Sequence, residues 1–462
     1  MMEYLDFIKS KTIVDQDTGF KPNIRDTILF GFQKDITSWA CRRGRAAIFS
    51  DCGTGKTPIQ LTWADQVNRQ TNKPVFILAP LAVSRQTKRE GEKFGVDVNI
   101  CESDADVKNG VNITNYEKLH RFDPALFSGV VLDESSILKS FTGKTRNQII
   151  RAFSALPYKL ACTATPAPND FMELGNHSEF VGSLTRAEML SMFFINDTSN
   201  VGTWRLKGHA QDEFWKWVCS WAVMIRKPSD LGYDNDGFAL PELNIISNVV
   251  NMDFDPGQFG ELFLQEASTL SERREARKLS LEKRVEVAAD LANKSSEQWL
   301  IWCDMNAESS LLSKSISDAV EVTGSDRPGV KEDRMLAFQS GEIRVLVTKP
   351  SIAGWGMNWQ NCRNMAFVGL SDSYEQFYQA VRRCWRFGQN RTVNAHVIYS
   401  AREGSVVKNI KRKEDDAAIM ADNMIKHMSG FTKSVINGAT NDQTPYEAEK
   451  TITIPSWIRE AS

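Results

Sequence analysis

No two cysteines of this 462-residue chain stand at Cys-x-x-Cys spacing: Cys41, Cys52, Cys101, Cys162, Cys219, Cys303, Cys362 and Cys384 are scattered singly. That excludes the usual zinc-site spacings and fits free thiols in a reducing compartment. No apolar run reaches the ~18 residues that a membrane-spanning helix needs, and the N-terminus lacks the basic-then-apolar order of a secretory signal. A soluble, cytoplasmic protein with no membrane partner is therefore expected. An excess of one charge is also missing, since the formal net charge is −2 and the pI about 6.3. A strongly basic chain would point to nucleic acid; here any such binding has to come from a local groove. Short-period repeats and low-complexity tracts are absent as well. What is there is ordinary for a globular protein, with 42% hydrophobic and 25% charged residues. The length exceeds one core and suggests two domains with accessories.

Short apolar runs recur in two series. The first holds Ala46–Phe49, Val75–Ala79, Val96–Ile100, Val111–Thr114, Val130–Leu132 and Lys159–Thr163; the second holds Trp299–Cys303, Ala319–Thr323, Arg344–Thr348, Met365–Val368 and Val393–Tyr399. Strands alternating with helix-length amphipathic stretches predict an α/β protein with two mainly parallel sheets covered by helices. Between the series, residues 180 to 240 are rich in Trp and Phe and read as helical, and the loop Ser229–Gly237 places a boundary near 240. A charged helix follows, with Leu281, Val285, Ala288 and Ala289 on a buried face and Arg273, Arg274, Arg277, Lys278, Lys283 and Arg284 on a solvated one. The last helix carries Met420, Met424 and Met428 at i, i+4 spacing as a docking stripe, with Gly430 as its stop. Three units result: 1–240, 241–405 and a helical, polar extension 406–462, in which Trp457 reads as a packing anchor.

The apolar run Ala46–Phe49 leads into Ser50-Asp51-Cys52-Gly53-Thr54-Gly55-Lys56-Thr57. A buried strand, a glycine-rich turn and Lys-Thr opening a helix is the arrangement that holds a nucleotide's phosphates. Gly53 and Gly55 let backbone N–H groups around Thr54 point inward, Lys56 reaches the terminal phosphates, and the Thr57 hydroxyl can ligate Mg²⁺. The strict pattern has Gly where this chain has Ser50. Downstream, Val130-Val131-Leu132 ends on Asp133-Glu134, far enough away for two or three βα units to intervene. Asp133 would hold the metal directly or through water, and Glu134 would polarise the attacking water. Together the two motifs point to ATP or GTP hydrolysis.

Kinases, GTPases, transporters and helicases share those features, and the second half discriminates among them. Gln379-Ala380-Val381-Arg382-Arg383-Cys384-Trp385-Arg386-Phe387-Gly388-Gln389 reads as a helix running into a turn, with Arg383 and Arg386 on one helix face. Two fixed guanidinium forks can clamp developing phosphate charge. Upstream, Gly354-Trp355-Gly356-Met357-Asn358 forms a second glycine-rich turn beyond a strand.

In these motifs the chain resembles the superfamily 2 helicase-like ATPases, and within them the Swi/Snf branch of DNA translocases, over roughly residues 25 to 405. Gln33 resembles the adenine-reading glutamine upstream of the P-loop. Leu78-Ala79-Pro80 with Gln86 and Glu90 is similar to motif Ia, and Thr114-Asn115-Tyr116-Glu117 to motif Ib. Asp133-Glu134 is similar to motif II, Thr163-Ala164-Thr165-Pro166 with Asn169 to motif III, and Gly354–Asn358 to motif V. Gln379–Gln389 resembles the branch's Gln-x-x-x-Arg-x-x-Arg-x-Gly-Gln. Ser135-Ser136, Ala164, Trp355 and Trp359 depart from the common residues at their positions.

The resemblance implies two tandem RecA-like lobes with ATP and Mg²⁺ between them. Lobe 1 would supply Gln33, Gly53, Thr54, Gly55, Lys56, Thr57, Asp133 and Glu134. Lobe 2 would supply Arg383, Arg386 and Gly356. It also implies a nucleic-acid partner, DNA ahead of RNA, and compact relatives in phages and bacteria. Lys139, Lys144, Arg146 and Arg151 are candidate nucleic-acid contacts or a solvated helix face. An ATP-gated nucleic-acid-binding switch without directional motion would use the same motifs.

Overall fold

A computed structural model describes residues 18–24, 27–80, 83–196, 204–251, 270–354 and 357–436. Trp355, Gly356 and Trp457 lie outside the described residues. Two all-parallel sheets carry the molecule. The first has seven strands, β1 (Arg45–Ser50), β2 (Val75–Ala79), β3 (Val98–Ile100), β4 (Val111–Asn115), β5 (Gly129–Asp133), β6 (Tyr158–Thr163) and β9 (Ala222–Ile225), in the order β3-β4-β2-β5-β6-β1-β9. The second has six, β10 (Leu243–Val250), β11 (Trp299–Cys303), β12 (Ala319–Glu321), β13 (Val345–Thr348), β14 (Asn364–Val368) and β15 (Val393–Ser400), in the order β10-β15-β14-β11-β13-β12. Between the two series, β7 (Phe194–Asn196) and β8 (Trp204–Leu206) pair antiparallel.

Both sheets are sandwiched, so their strands read as continuous apolar runs. In β11 the strand period of two divides the side chains between two cores: Leu300 and Trp302 enter one, Trp299, Ile301 and Cys303 the other. Parallel strands also bring their carboxyl ends to one edge. Asp133 pairs with Cys162 of β6, and Cys162 with Ile48 of β1, so the P-loop, the acidic pair and Thr163 emerge side by side.

Three expectations are corrected and one strand is added. The stretch 180–240 is not wholly helical. Arg186–Phe193 and Gln211–Trp221 are helices, but Ala222–Ile225 pairs with β1 as the seventh strand, and the β7/β8 hairpin lies between the helices. A four-residue apolar run abutting a helix has no turn residue to mark it. Leu243–Val250 forms β10, an edge strand alongside β15 for which the sequence analysis gave no element. Gly430 does not stop the last helix, which runs from Gly404 to Ile436. Its first turns place Val406 and Ile410 in the second lobe's core, and Met420, Ala421, Met424 and Met428 enter the first lobe's. Arg284, assigned to a solvated face, is fully buried: its Nη1 donates to Glu308 Oε1 at 2.7 Å and its Nε to Ser280 Oγ at 3.0 Å. No helix among the described residues is long and apolar enough to cross a membrane.

Candidate active site

The P-loop leaves β1 at Ser50 and closes on the helix Lys56–Thr71. Gly53 (φ +93°) and Gly55 (φ +91°) both hold left-handed backbone that other residues resist. A Cβ at Gly55 would also lie 2.2 Å from Gln33 Nε2. Gln33 is the buttress of the loop: its Nε2 donates to Thr54 O at 2.9 Å, and its Oε1 accepts from Phe30 N at 3.0 Å. Thr54 Oγ1 donates to Asp51 O at 2.7 Å and contacts the Ser50 hydroxyl, so the serine that replaces the usual glycine is tied into the turn.

Lys56 Nζ donates to Ser50 O at 3.2 Å and stands 3.9 Å from Glu134 Oε1. Burial works against its charge, but the carboxylates around it, Glu134 foremost, hold its pKa above the ordinary lysine value. Thr57 follows in the first helical turn. One turn further, Gln60 Nε2 donates to Asp133 Oδ1 at 2.8 Å. Burial, and then the adjacent Glu134 charge, push Asp133 up to about 6. The buried Asp133 carboxyl beside Glu134 forms a donor pair whose crowding a divalent cation would relieve. Glu134 itself has φ +54° and ψ +57°, a conformation rare outside glycine and of a kind found at functional sites. Its Oε2 accepts from Thr163 Oγ1 at 3.4 Å and from Gln379 Nε2 of the second lobe at 3.5 Å.

Behind this edge, Ser135 Oγ meets His177 Nε2 at 3.1 Å. Burial lowers the His177 pKa to about 4, so the folded protein keeps the imidazole neutral. The folded value lies below the ordinary value of 6.5, so this contribution to stability is present at neutral pH and lost as pH falls from 6.5 toward 4. Denaturant unfolding at pH 7 and 4.5 should show His177→Gln losing less stability than the unaltered protein over that interval, by an amount on the order of 3 kcal/mol. Asn169, in the expected motif III, donates from N and Nδ2 to Glu173 at 3.1 and 2.7 Å and accepts from Lys413 Nζ at 2.9 Å.

From the second lobe, the helix Tyr374–Val381 ends before the arginines, so Arg383 and Arg386 sit in consecutive turns, not on a shared helix face. They converge nonetheless, with Arg383 Nη1 and Arg386 Nη1 donating to Met357 O at 3.0 and 3.2 Å. Burial, and then the Arg383 charge, lower Arg386 to about 10. A Cβ at Gly53 would lie 3.0 Å from Phe387 N, so the motif's turn rests on the P-loop itself. Of the proposed nucleic-acid contacts, Arg146 is buried against Glu179 at 2.6 Å, and Lys139 pairs with Glu375 across the lobes. Lys144 and Arg151 line a surface groove with Leu119, His120 and Phe122.

Sequence reasoning gave no role to Gln60 or Tyr378, and named Tyr116, Gln379 and Arg382 only as members of motif strings. Gln60 was within reach of it, because it lies three residues after Thr57, on the same helix face. Tyr116, whose hydroxyl donates to Asp133 O at 2.7 Å, and Tyr378 carried no such signal.

A P-loop, an acidic pair of which Asp133 is buried, and a second α/β lobe applied to both make a two-lobed protein of RecA-like architecture. Residues 282–388 match the helicase conserved C-terminal domain, so that segment is helicase-like. The arginine-bearing string from Gln379 to Gly388 falls inside that match. Among solved structures the chain is similar to the Sulfolobus solfataricus SWI2/SNF2 ATPase core in complex with dsDNA, at 16% identity, over 91% of this chain and 97% of that one, with a TM-score of 0.41. No curated protein matches it.

Proposed function

We propose that the protein is a nucleic-acid-dependent ATPase of the Swi/Snf type, which couples hydrolysis to translocation on duplex DNA. The observation that supports this most is the seating of the second lobe's Gln379 and its following turn on Glu134 and the P-loop of the first. With that reading goes the division into 1–240, 241–405 and 406–462.

Lys56 and the P-loop N–H groups would bind the β- and γ-phosphates, and Gln33, with one N–H and one lone pair still to give, would read the adenine edge. Thr57 and Asp133 would hold Mg²⁺, which when bound offsets charge on the phosphates. Among the described residues no three-residue cluster of His, Cys, Asp or Glu could hold a metal unaided, as suits an ion that shares its shell with phosphate and water. Glu134 accepts the proton of the attacking water, while Arg383 and Arg386 meet the charge that develops on the transferred group. Hydrolysis removes the γ-phosphate that both lobes grip and lets them part, and DNA spanning the lobes is stepped by the cycle.

Duplex tracking without strand separation is the expected outcome. Displacement of a third strand from a triplex should require ATP and proceed, while a forked duplex stays closed. ATP-dependent opening of the fork with no triplex displacement would make the protein a conventional helicase. Hydrolysis without either activity would leave the ATP-gated switch.

A further inference from the structure

Four side chains along the second lobe's helix Tyr374–Val381 and the residue that caps it touch the first lobe: Glu375 meets Lys139, Gln379 meets Glu134, and Tyr378 and Arg382 both meet Asp51. Positions 375, 378, 379 and 382 follow the i, i+3, i+4, i+7 spacing of one helix face. That face is a docking surface, and its terminal contact is built in unusual detail.

Asp51 is the P-loop's own carboxylate. Its N–H donates to Ile225 O at 2.9 Å, its carbonyl accepts from Thr54 Oγ1 at 2.7 Å, and its Oδ1 accepts from Cys52 N at 2.7 Å. Across the cleft, Tyr378 Oη donates to the same Oδ1 and Arg382 Nη2 to Oδ2. Arg382 is only 4% exposed, its Nε and Nη1 have no hydrogen-bond partner among the described residues, and its guanidinium lies over the rings of Trp385 (4.3 Å) and Tyr378 (5.2 Å). Among the described residues, Asp51 is thus the one acceptor to which this buried cation donates. Behind it the turn is stiff: Arg383 N donates to Ala380 O at 3.2 Å, Trp385 N to Val381 O at 3.0 Å, and Trp385 Nε1 to Pro241 O at 2.7 Å.

We propose that Arg382, with Tyr378, is a positioning residue: by latching Asp51 it sets the register of the second lobe on the P-loop and so places Arg383 and Arg386 against the transferring phosphate. The proposal rests on the ATPase reading above. Arg382 is held away from the phosphates by its own ion pair, so it acts through its neighbours and does not itself touch the reacting group. Its effect belongs to the closed state and to kcat, because the first lobe alone supplies the P-loop that binds ATP.

The test is a double-mutant cycle on the full chain with Arg382→Gln, Asp51→Asn and both together, and Tyr378→Phe as a milder change. ATP affinity is read in the same variants carrying Glu134→Gln, so that binding is measured without turnover. Each of Arg382→Gln and Asp51→Asn should lower kcat by between about 10- and 100-fold, as misplacement of catalytic groups does, with ATP affinity within about threefold of the parent. The double variant should be no worse than the poorer single one. Tyr378→Phe, which loses one hydroxyl and keeps the ring, should lower kcat by a smaller factor and leave affinity alone, and reads the latch even if a charge variant does not fold. Independent, multiplying losses, or losses confined to ATP affinity, or Tyr378→Phe and the single variants turning over at the parental rate, would overturn the latch. If the unaltered protein hydrolyses no ATP, the ATPase reading falls and takes the latch with it.

Discussion

Glu134→Gln should bind ATP and fail to hydrolyse it, with kcat lower by about 10²- to 10⁴-fold, the range spanned by general-base catalysis. Glutamine keeps the shape of the side chain, and its amide can still face Thr163 and Gln379, the two partners of Glu134 Oε2. What it loses is the ability to take a proton from water. Lys56→Ala is the contrasting variant. It removes a cation of the first lobe that stands 3.9 Å from Glu134, so ATP binding and hydrolysis should fall together. Phosphate release and nucleotide binding, measured on both proteins, separate the roles. A Glu134→Gln protein turning over at the normal rate would show that the acidic pair has been assigned wrongly.

Arg386→Ala should lower kcat by about 10³-fold or more, as loss of an arginine finger does, with a much smaller change in ATP affinity. Arg386→Lys should be nearly as damaging, for two reasons. Lysine has no planar fork with which to meet two phosphate oxygens. The site is also hostile to a proton-bearing amine, because burial and Arg383 already pull the Arg386 guanidinium down to about 10. A lysine starts from a lower intrinsic value and would be pulled closer to neutrality there. Single-turnover hydrolysis and equilibrium nucleotide binding distinguish rate from affinity. An Arg386→Ala protein with normal kcat would show that the second lobe does not complete the site.

The strands of both sheets were legible because burial on two faces leaves no room for polar residues. All eleven expected runs lie in strands, with small shifts at their ends. Where that constraint weakens, so does the signal. The edge strand β10 exposes Ile245, Ile246 and Val249 and mixes Asn and Ser among them. The strand Ala222–Ile225 is apolar but too short, and too close to a helix, to stand apart. The phosphate site was legible in its local parts, since strand, turn and helix are contiguous in the chain. Its cross-lobe parts were not. Asp51 and Arg382 are separated by most of the protein, and nothing in either segment names the other. Arg284 was misjudged for the same reason, because the carboxylates that make its burial tolerable, Glu308 and Glu403, come from later segments.

The most direct test of a nucleic-acid-driven ATPase is the rate of phosphate release with no nucleic acid, duplex DNA, single-stranded DNA and RNA, over a series of duplex lengths. A translocating enzyme should be slow alone, stimulated most by duplex DNA, and faster on longer duplexes until travel outlasts each encounter. An ATPase rate unchanged by any nucleic acid, or stimulated without regard to length, would contradict the account.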